Sequence, residues 1–93
     1  MKFRVEIVVS LKPGLLDPQG KAVEASLPAM GWTNVSDVRI GKHIELIVDA
    51  GSEEAAVALA GEIAERLLAN PVIENHRIAT AAPVDGLTFE DVS

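Results

Sequence analysis

Along residues 3 to 11, Phe3, Val5, Ile7, Val9 and Leu11 recur at every second position, with Arg4, Glu6 and Ser10 between them. A period of two puts each set on its own face of a strand, so the pattern predicts a strand with one buried face. Val8 interrupts the polar set. Lys12, Pro13 and Gly14 then mark a loop, and Asp17-Pro18 pairs a good N-cap with a good first helical residue. In the helix predicted there, Val23, Leu27 and Met30 fall at i, i+4 and i+7 with Ala22 and Ala29 alongside, a core-facing stripe that Gly31 would end. Pro28 lies inside this stretch. It removes the hydrogen bond to the Glu24 carbonyl at a cost of about 3 kcal/mol, which predicts a kink or an early end.

From Thr33 to Ala50 the period returns to two, with Val38 and Ile40 in one run and Ile44, Leu46 and Val48 in the next. Two strands joined at Gly41-Lys42 are predicted. Pairing 40 with 44 and 38 with 46 keeps the apolar side chains on one face, which requires three loop residues or a bulge near Gly41. Ser52 is an N-cap, and Glu53 and Glu54 sit where the helix dipole favours anions. Ala56, Leu59, Ile63 and Leu67, with Ala60 and Leu68, form the second helix's stripe, which ends at Asn70-Pro71 with Asn70 in a left-handed cap. Val72 to Ala81 is the fourth predicted strand. Residues 1–82 form one domain and residues 83–93 an irregular tail.

The order strand, helix, strand, strand, helix, strand gives an α+β fold, the βαββαβ split pattern of ferredoxin-like sandwiches. It predicts a four-stranded antiparallel sheet with two helices on one face. The other face stays open, and dimerisation would cover it, with Val8, Ile47 and Val72 as the apolar positions out of phase with the core.

With 93 residues there is room for one domain, and 48% apolar residues exclude a disordered body. Eight Lys and Arg against 14 Asp and Glu give a net charge of −6, which repels a phosphate backbone and excludes nucleic acid as an expected partner. The absence of cysteine rules out disulfides, thiolate zinc sites and a cysteine nucleophile. No export signal and no run of about 20 apolar residues is visible, so a cytoplasmic protein without a membrane partner is expected.

Candidate chemistry is sparse. Gly41-Lys42 lacks the upstream glycine of a phosphate loop and is followed by His43. His43 with Glu45, and Glu74 with His76, each share a strand face at a spacing that suits a metal, but two ligands do not make a site. No serine lies in a nucleophile elbow, and the run 44–48 has no aromatic ring to stack a base. Trp32, after the helix stop, reads as a partly buried packing residue. The remaining polar residues cluster at turns: Lys12, Asp17 and Gln19, then Arg39 and Lys42, then Asn70 and Glu74. Each has a local explanation, as a cap, a helix end or a solvated charge, so the residues themselves define no catalytic, cofactor or metal site.

Taken together, Lys12, Leu16-Asp17-Pro18-Gln19-Gly20, Val38-Arg39 with Gly41-Lys42, and Leu67-Leu68-Ala69-Asn70-Pro71-Val72-Ile73-Glu74 resemble the PurS family over residues 3 to 80. Pro28 and the segment after Ala81 depart from its usual pattern. The resemblance implies the small subunit of phosphoribosylformylglycinamidine (FGAM) synthase, the purine-pathway ligase that uses formylglycinamide ribonucleotide, glutamine and ATP. It implies PurQ and PurL as partners, PurQ releasing ammonia from glutamine and PurL using ATP and Mg to activate the substrate amide. This chain would bind no cofactor and carry no chemistry, joining the two as a homodimer or a dimer of dimers. Arg39, Lys42, Asn70 and Glu74 are then the expected partner contacts. An ACT-like amino-acid sensor shares the topology and is the alternative.

Overall fold

Alternation in the first strand builds the sheet from its centre. The computed structural model describes residues 1–84. In it β1, Lys2–Leu11, lies between β2, Lys42–Asp49, and β3, Glu74–Val84, in a three-stranded sheet whose neighbours are all antiparallel. Phe3, Val5, Ile7 and Val9 all point to one face and are at most 3% exposed. Phe3, Val5 and Ile7 stand opposite Val48, Leu46 and Ile44 of β2, while Ile7 also faces Ile78 of β3. A bulge follows at Ala79, because Glu6 pairs with Thr80 and Ile7 with Ile78.

Helix α2, Glu53–Ile63, covers this face. Ser52 Oγ accepts from Ala55 N at 3.1 Å, and Glu53 and Glu54 occupy the first turn as predicted. The residues laid on the sheet are alanines: Ala56, Ala60 and Ala64 are each 0% exposed. Leu68 also packs on this core. Leu59 and Leu67, expected in the buried stripe, instead face outward at 42% and 77% exposure. Alanine's small side chain allows helix and sheet to approach closely, and the bulk comes from the strand residues. The last turn, Ala64–Leu68, widens to a π-helical turn in which Ala69 N donates to Ala64 O at 2.8 Å. Ala69 is already extended, and the only non-glycine described residue with a positive φ is Asp37, so Asn70 does not take the left-handed cap expected of it.

The segment between β1 and β2 corrects the sequence reading most. Helix α1 runs only from Pro18 to Ser26, followed by a 3-10 turn at Pro28–Met30 and by Gly31 at φ 99°. The early end expected at Pro28 is therefore observed. The expected stripe is not buried: Val23 is 41% and Met30 65% exposed, and Trp32, expected to pack, is 51% exposed. Helix α1 packs mainly on its own 3-10 turn, whereas α2 packs against all three strands, so one helix covers the face where two were expected.

Thr33–Ile40 forms no strand, and the sheet has three strands where four were expected. Side chains take the hydrogen bonds that a strand would need. Val38 N donates to Glu24 Oε1 at 3.1 Å and Ile40 N to Asp17 Oδ2 at 2.7 Å, while Asp37 at φ 57° breaks the extended course. No hairpin forms at Gly41-Lys42, and the chain passes from Ile40 straight into β2. The result is a sheet with α2 on its face and an arm, residues 12–41, at one end. The radius of gyration of 16.6 Å exceeds the roughly 12 Å of a compact chain this long. Strand β3 includes Pro83 and Val84, two residues past the expected domain boundary, and the rest of the expected tail lies outside the described residues.

Candidate functional site: the arm junction and the polar sheet face

Two polar networks meet where the arm joins the sheet. The first is built on Asp17, which is 4% exposed. One carboxylate oxygen accepts from Gly20 N at 2.8 Å, capping α1, and the other accepts from Ile40 N. Those two N–H groups, Ile40's first, hold the Asp17 carboxyl below its ordinary value, against burial and with help from the Arg39 charge. Arg39 closes the loop from above, its guanidinium donating to the carbonyls of Leu15 at 3.1 Å and of Leu11 and Lys12 at 3.3 Å. Two glycines permit the close approach. A Cβ at Gly20 would meet the Val38 carbonyl oxygen, and one at Gly41 the Val9 carbonyl oxygen.

This network has a pH signature. A carboxylate whose folded pKa is depressed stabilises the fold fully above its unfolded pKa, near 3.9, and that contribution is lost as pH falls through the folded value. Wild-type stability should therefore be flat in this respect from pH 7 to 5 and decline below about 4. Asp17→Asn should be less stable at neutral pH and decline less on acidification. Chemical denaturation at pH 7 and pH 3.5 checks this, and equal slopes for the two proteins would exclude Asp17 as a source of the acid sensitivity.

The second network joins three of the four sequence-predicted contact residues. Lys42 Nζ, at the start of β2, donates to Leu68 O at 3.1 Å and lies 3.8 Å from Glu74 Oε1. Glu74 Oε1 accepts from Asn70 N at 2.7 Å, and Asn70 Oδ1 accepts from Val72 N at 3.1 Å. Asn70 thus closes the turn through its side chain. Arg39 stands apart, in the first network. Between the networks lies a cavity of about 510 Å³, bounded by Asp17, Gln19, Gly41, Lys42 and Glu74.

The metal-like pairs separate. Glu74 and His76 stand opposite Leu11 and Val9 on the helix-covered face, whereas His43 and Glu45 stand opposite Val8 and Glu6 on the open face. There Glu6 joins them, a residue the sequence reading did not group with His43 and Glu45. The Thr80 hydroxyl donates to Glu6 at 2.6 Å and holds its carboxyl below the ordinary value, opposed by burial and assisted by His43 and Arg4.

Comparison with known proteins decides what this framework is. A sequence profile described as "PurS: Phosphoribosylformylglycinamidine (FGAM) synthase" matches residues 4–82. The chain belongs to the PurS family. It is 47% identical over 75 residues to the Bacillus subtilis phosphoribosylformylglycinamidine synthase subunit PurS, covering 81% of this chain and 88% of that one. The crystal structure of Bacillus subtilis PurS superposes with a TM-score of 0.74 at 42% identity, over 87% of this chain and 99% of that one. A chain of the Thermotoga maritima PurLQS structure superposes with a TM-score of 0.77 at 32% identity, over 84% of this chain and 95% of that one. The PurS fold is thus the α+β framework of two helices and an antiparallel sheet described above.

Proposed function

We propose that this chain is the non-catalytic assembly subunit of a three-chain phosphoribosylformylglycinamidine synthase, holding a PurL synthetase and a PurQ glutaminase together for ammonia transfer. The observation that carries the reading is its match, over most of both lengths, to a chain of the PurLQS structure. The chemistry agrees. A chain without cysteine cannot supply the glutaminase thiolate, and no phosphate loop is present in the sequence for ATP. ATP, Mg and glutamine are accordingly assigned to the partners, and the site of action to the cytoplasm. Free ammonia in water is protonated and diluted, so a subunit that holds donor and acceptor sites together raises its effective concentration. Membership of the PurS family displaces the amino-acid-sensor reading.

The reading includes a homodimer. The arm exposes Leu16, Val23, Met30, Trp32 and Val35 without a core of its own, and among the described residues the outer edge of β2 has no neighbouring strand. A second copy covers both most economically. The outer α2 stripe of Leu59 and Leu67 remains for a dimer of dimers. Val8 and Ile47 share the open sheet face, whereas Val72 lies in the turn before β3, so the three do not form one surface.

Arg39, Lys42, Asn70 and Glu74 are the proposed contacts with PurL and PurQ, each fixed at the surface by the bonds described. Arg39→Ala and Lys42→Ala should weaken co-assembly with PurL and PurQ about tenfold, the effect of losing one interface anchor. Affinity unchanged in a titration of the purified partners would remove these residues from the interface.

A further inference from the structure

On the open face of the sheet, Glu6 of β1 stands directly opposite Glu45 of β2, and His43 stands opposite Val8 beside them. Like charges facing each other across two strands destabilise a sheet unless something lies between them. One oxygen of Glu6 is hydrogen-bonded from outside the pair, and one oxygen of Glu45 has a guanidinium nearby. Glu6 Oε2 accepts from the Thr80 hydroxyl at 2.6 Å, and Glu45 Oε2 lies 3.8 Å from Arg4 Nε, an atom shielded from water with no hydrogen-bond partner. The other oxygen of each turns toward His43: Glu6 Oε1 is 4.0 Å from Nε2 and Glu45 Oε1 is 3.9 Å from Nδ1.

These separations are too long for hydrogen bonds. They run to the two different ring nitrogens, so one ion, bound through a single nitrogen with donors each about 2.0–2.2 Å away and roughly 3–4 Å from each other, needs the imidazole to turn toward both carboxylates. One ligand atom from each of Glu6, His43 and Glu45 can be chosen so that all three fall within 4.8 Å of one another, and the His43 side chain is 52% exposed, so modest rotations close the set. We propose that Glu6, His43 and Glu45 form a surface site for a first-row divalent cation such as Zn²⁺. One imidazole nitrogen and two carboxylate oxygens bind it, and water fills the remaining positions. The Thr80 hydroxyl is the outer partner that orients the Glu6 carboxylate, as such groups do around bound metals, and Arg4 lies beside Glu45 without a hydrogen bond to it. An imidazole among the ligands favours zinc over magnesium or calcium. This site is independent of the assembly role and uses none of the four contact residues.

The test is calorimetric titration of ZnCl₂ into the full chain, freed of tag and stripped with EDTA, at neutral pH. One ion per chain is expected, with a dissociation constant on the order of micromolar. His43→Ala and Glu6→Gln should each weaken it at least about tenfold, while His76→Ala, on the opposite face, should leave it unchanged. Unfolding curves without zinc establish that the variants fold, and Glu45→Gln replaces either one that does not. No saturable binding up to about 1 mM zinc, or a loss below about tenfold in the folded variants, overturns the site.

Discussion

Ile7→Ala is expected to lower the unfolding free energy by about 3 kcal/mol, in the range for truncating a fully buried isoleucine. Ile7 is 0% exposed, stands between Ile44 and Ile78, and belongs to the strand face that α2 covers. The loss combines the transfer of the removed methyl and methylene groups with a cavity that the alanine-lined helix cannot fill without moving its backbone. A domain this small has roughly 5–10 kcal/mol of stability in all, so one residue carries a large share. The control is its neighbour. Val8 is half-buried on the open face, and Val8→Ala should cost about 1 kcal/mol or less. Urea unfolding of the two variants checks this, and equal losses would mean that the faces of β1 are assigned wrongly.

The second large effect concerns the arm. Gly41→Ala should cost about 2–3 kcal/mol, because the new Cβ meets the backbone carbonyl oxygen of Val9 in the central strand, which cannot yield cheaply. Gly20→Ala meets the Val38 carbonyl in the same way. For Gly41, relief comes from lifting the arm away from the end of β1; for Gly20, it comes from parting α1 from the Val38 segment within the arm, and both strain the Asp17 bonds to Gly20 and Ile40. Gly61→Ala is the opposite case. It lies inside α2 with open space where a Cβ would go, and should stabilise the protein by about 0.5–1 kcal/mol through helix propensity. Thermal unfolding of the three variants should therefore move two midpoints down and one up. Destabilisation by Gly61→Ala, or neutrality of Gly41→Ala, would contradict the packing described.

The sequence made visible what local physics controls. The alternation of β1, the Asp17-Pro18 and Ser52 starts, the break at Pro28 and the end of the helical run just before Asn70 all follow from residues within a turn of one another. Tertiary competition decided the rest. Val38 and Ile40 have strand character, but Glu24 and Asp17, 14 and 23 residues away, take their N–H groups, and a bond at that separation has no local signature. The α2 stripe was read at the right period, yet Leu59 and Leu67 turn outward because close approach to the sheet selects the alanines. Lys42, Asn70 and Glu74 stood out through the family resemblance, and their shared network emerged only with the fold. Glu6 could have been placed with His43 and Glu45 only once the register between β1 and β2 was known.

The central claim is tested most directly by reconstitution. PurL and PurQ from the same organism are assayed for glutamine-dependent synthesis of formylglycinamidine ribonucleotide, with and without this chain. The assembly role predicts turnover that requires the chain, because ammonia released by an unassembled glutaminase is lost to water before the synthetase captures it. Equal glutamine-driven turnover in its absence would contradict the account.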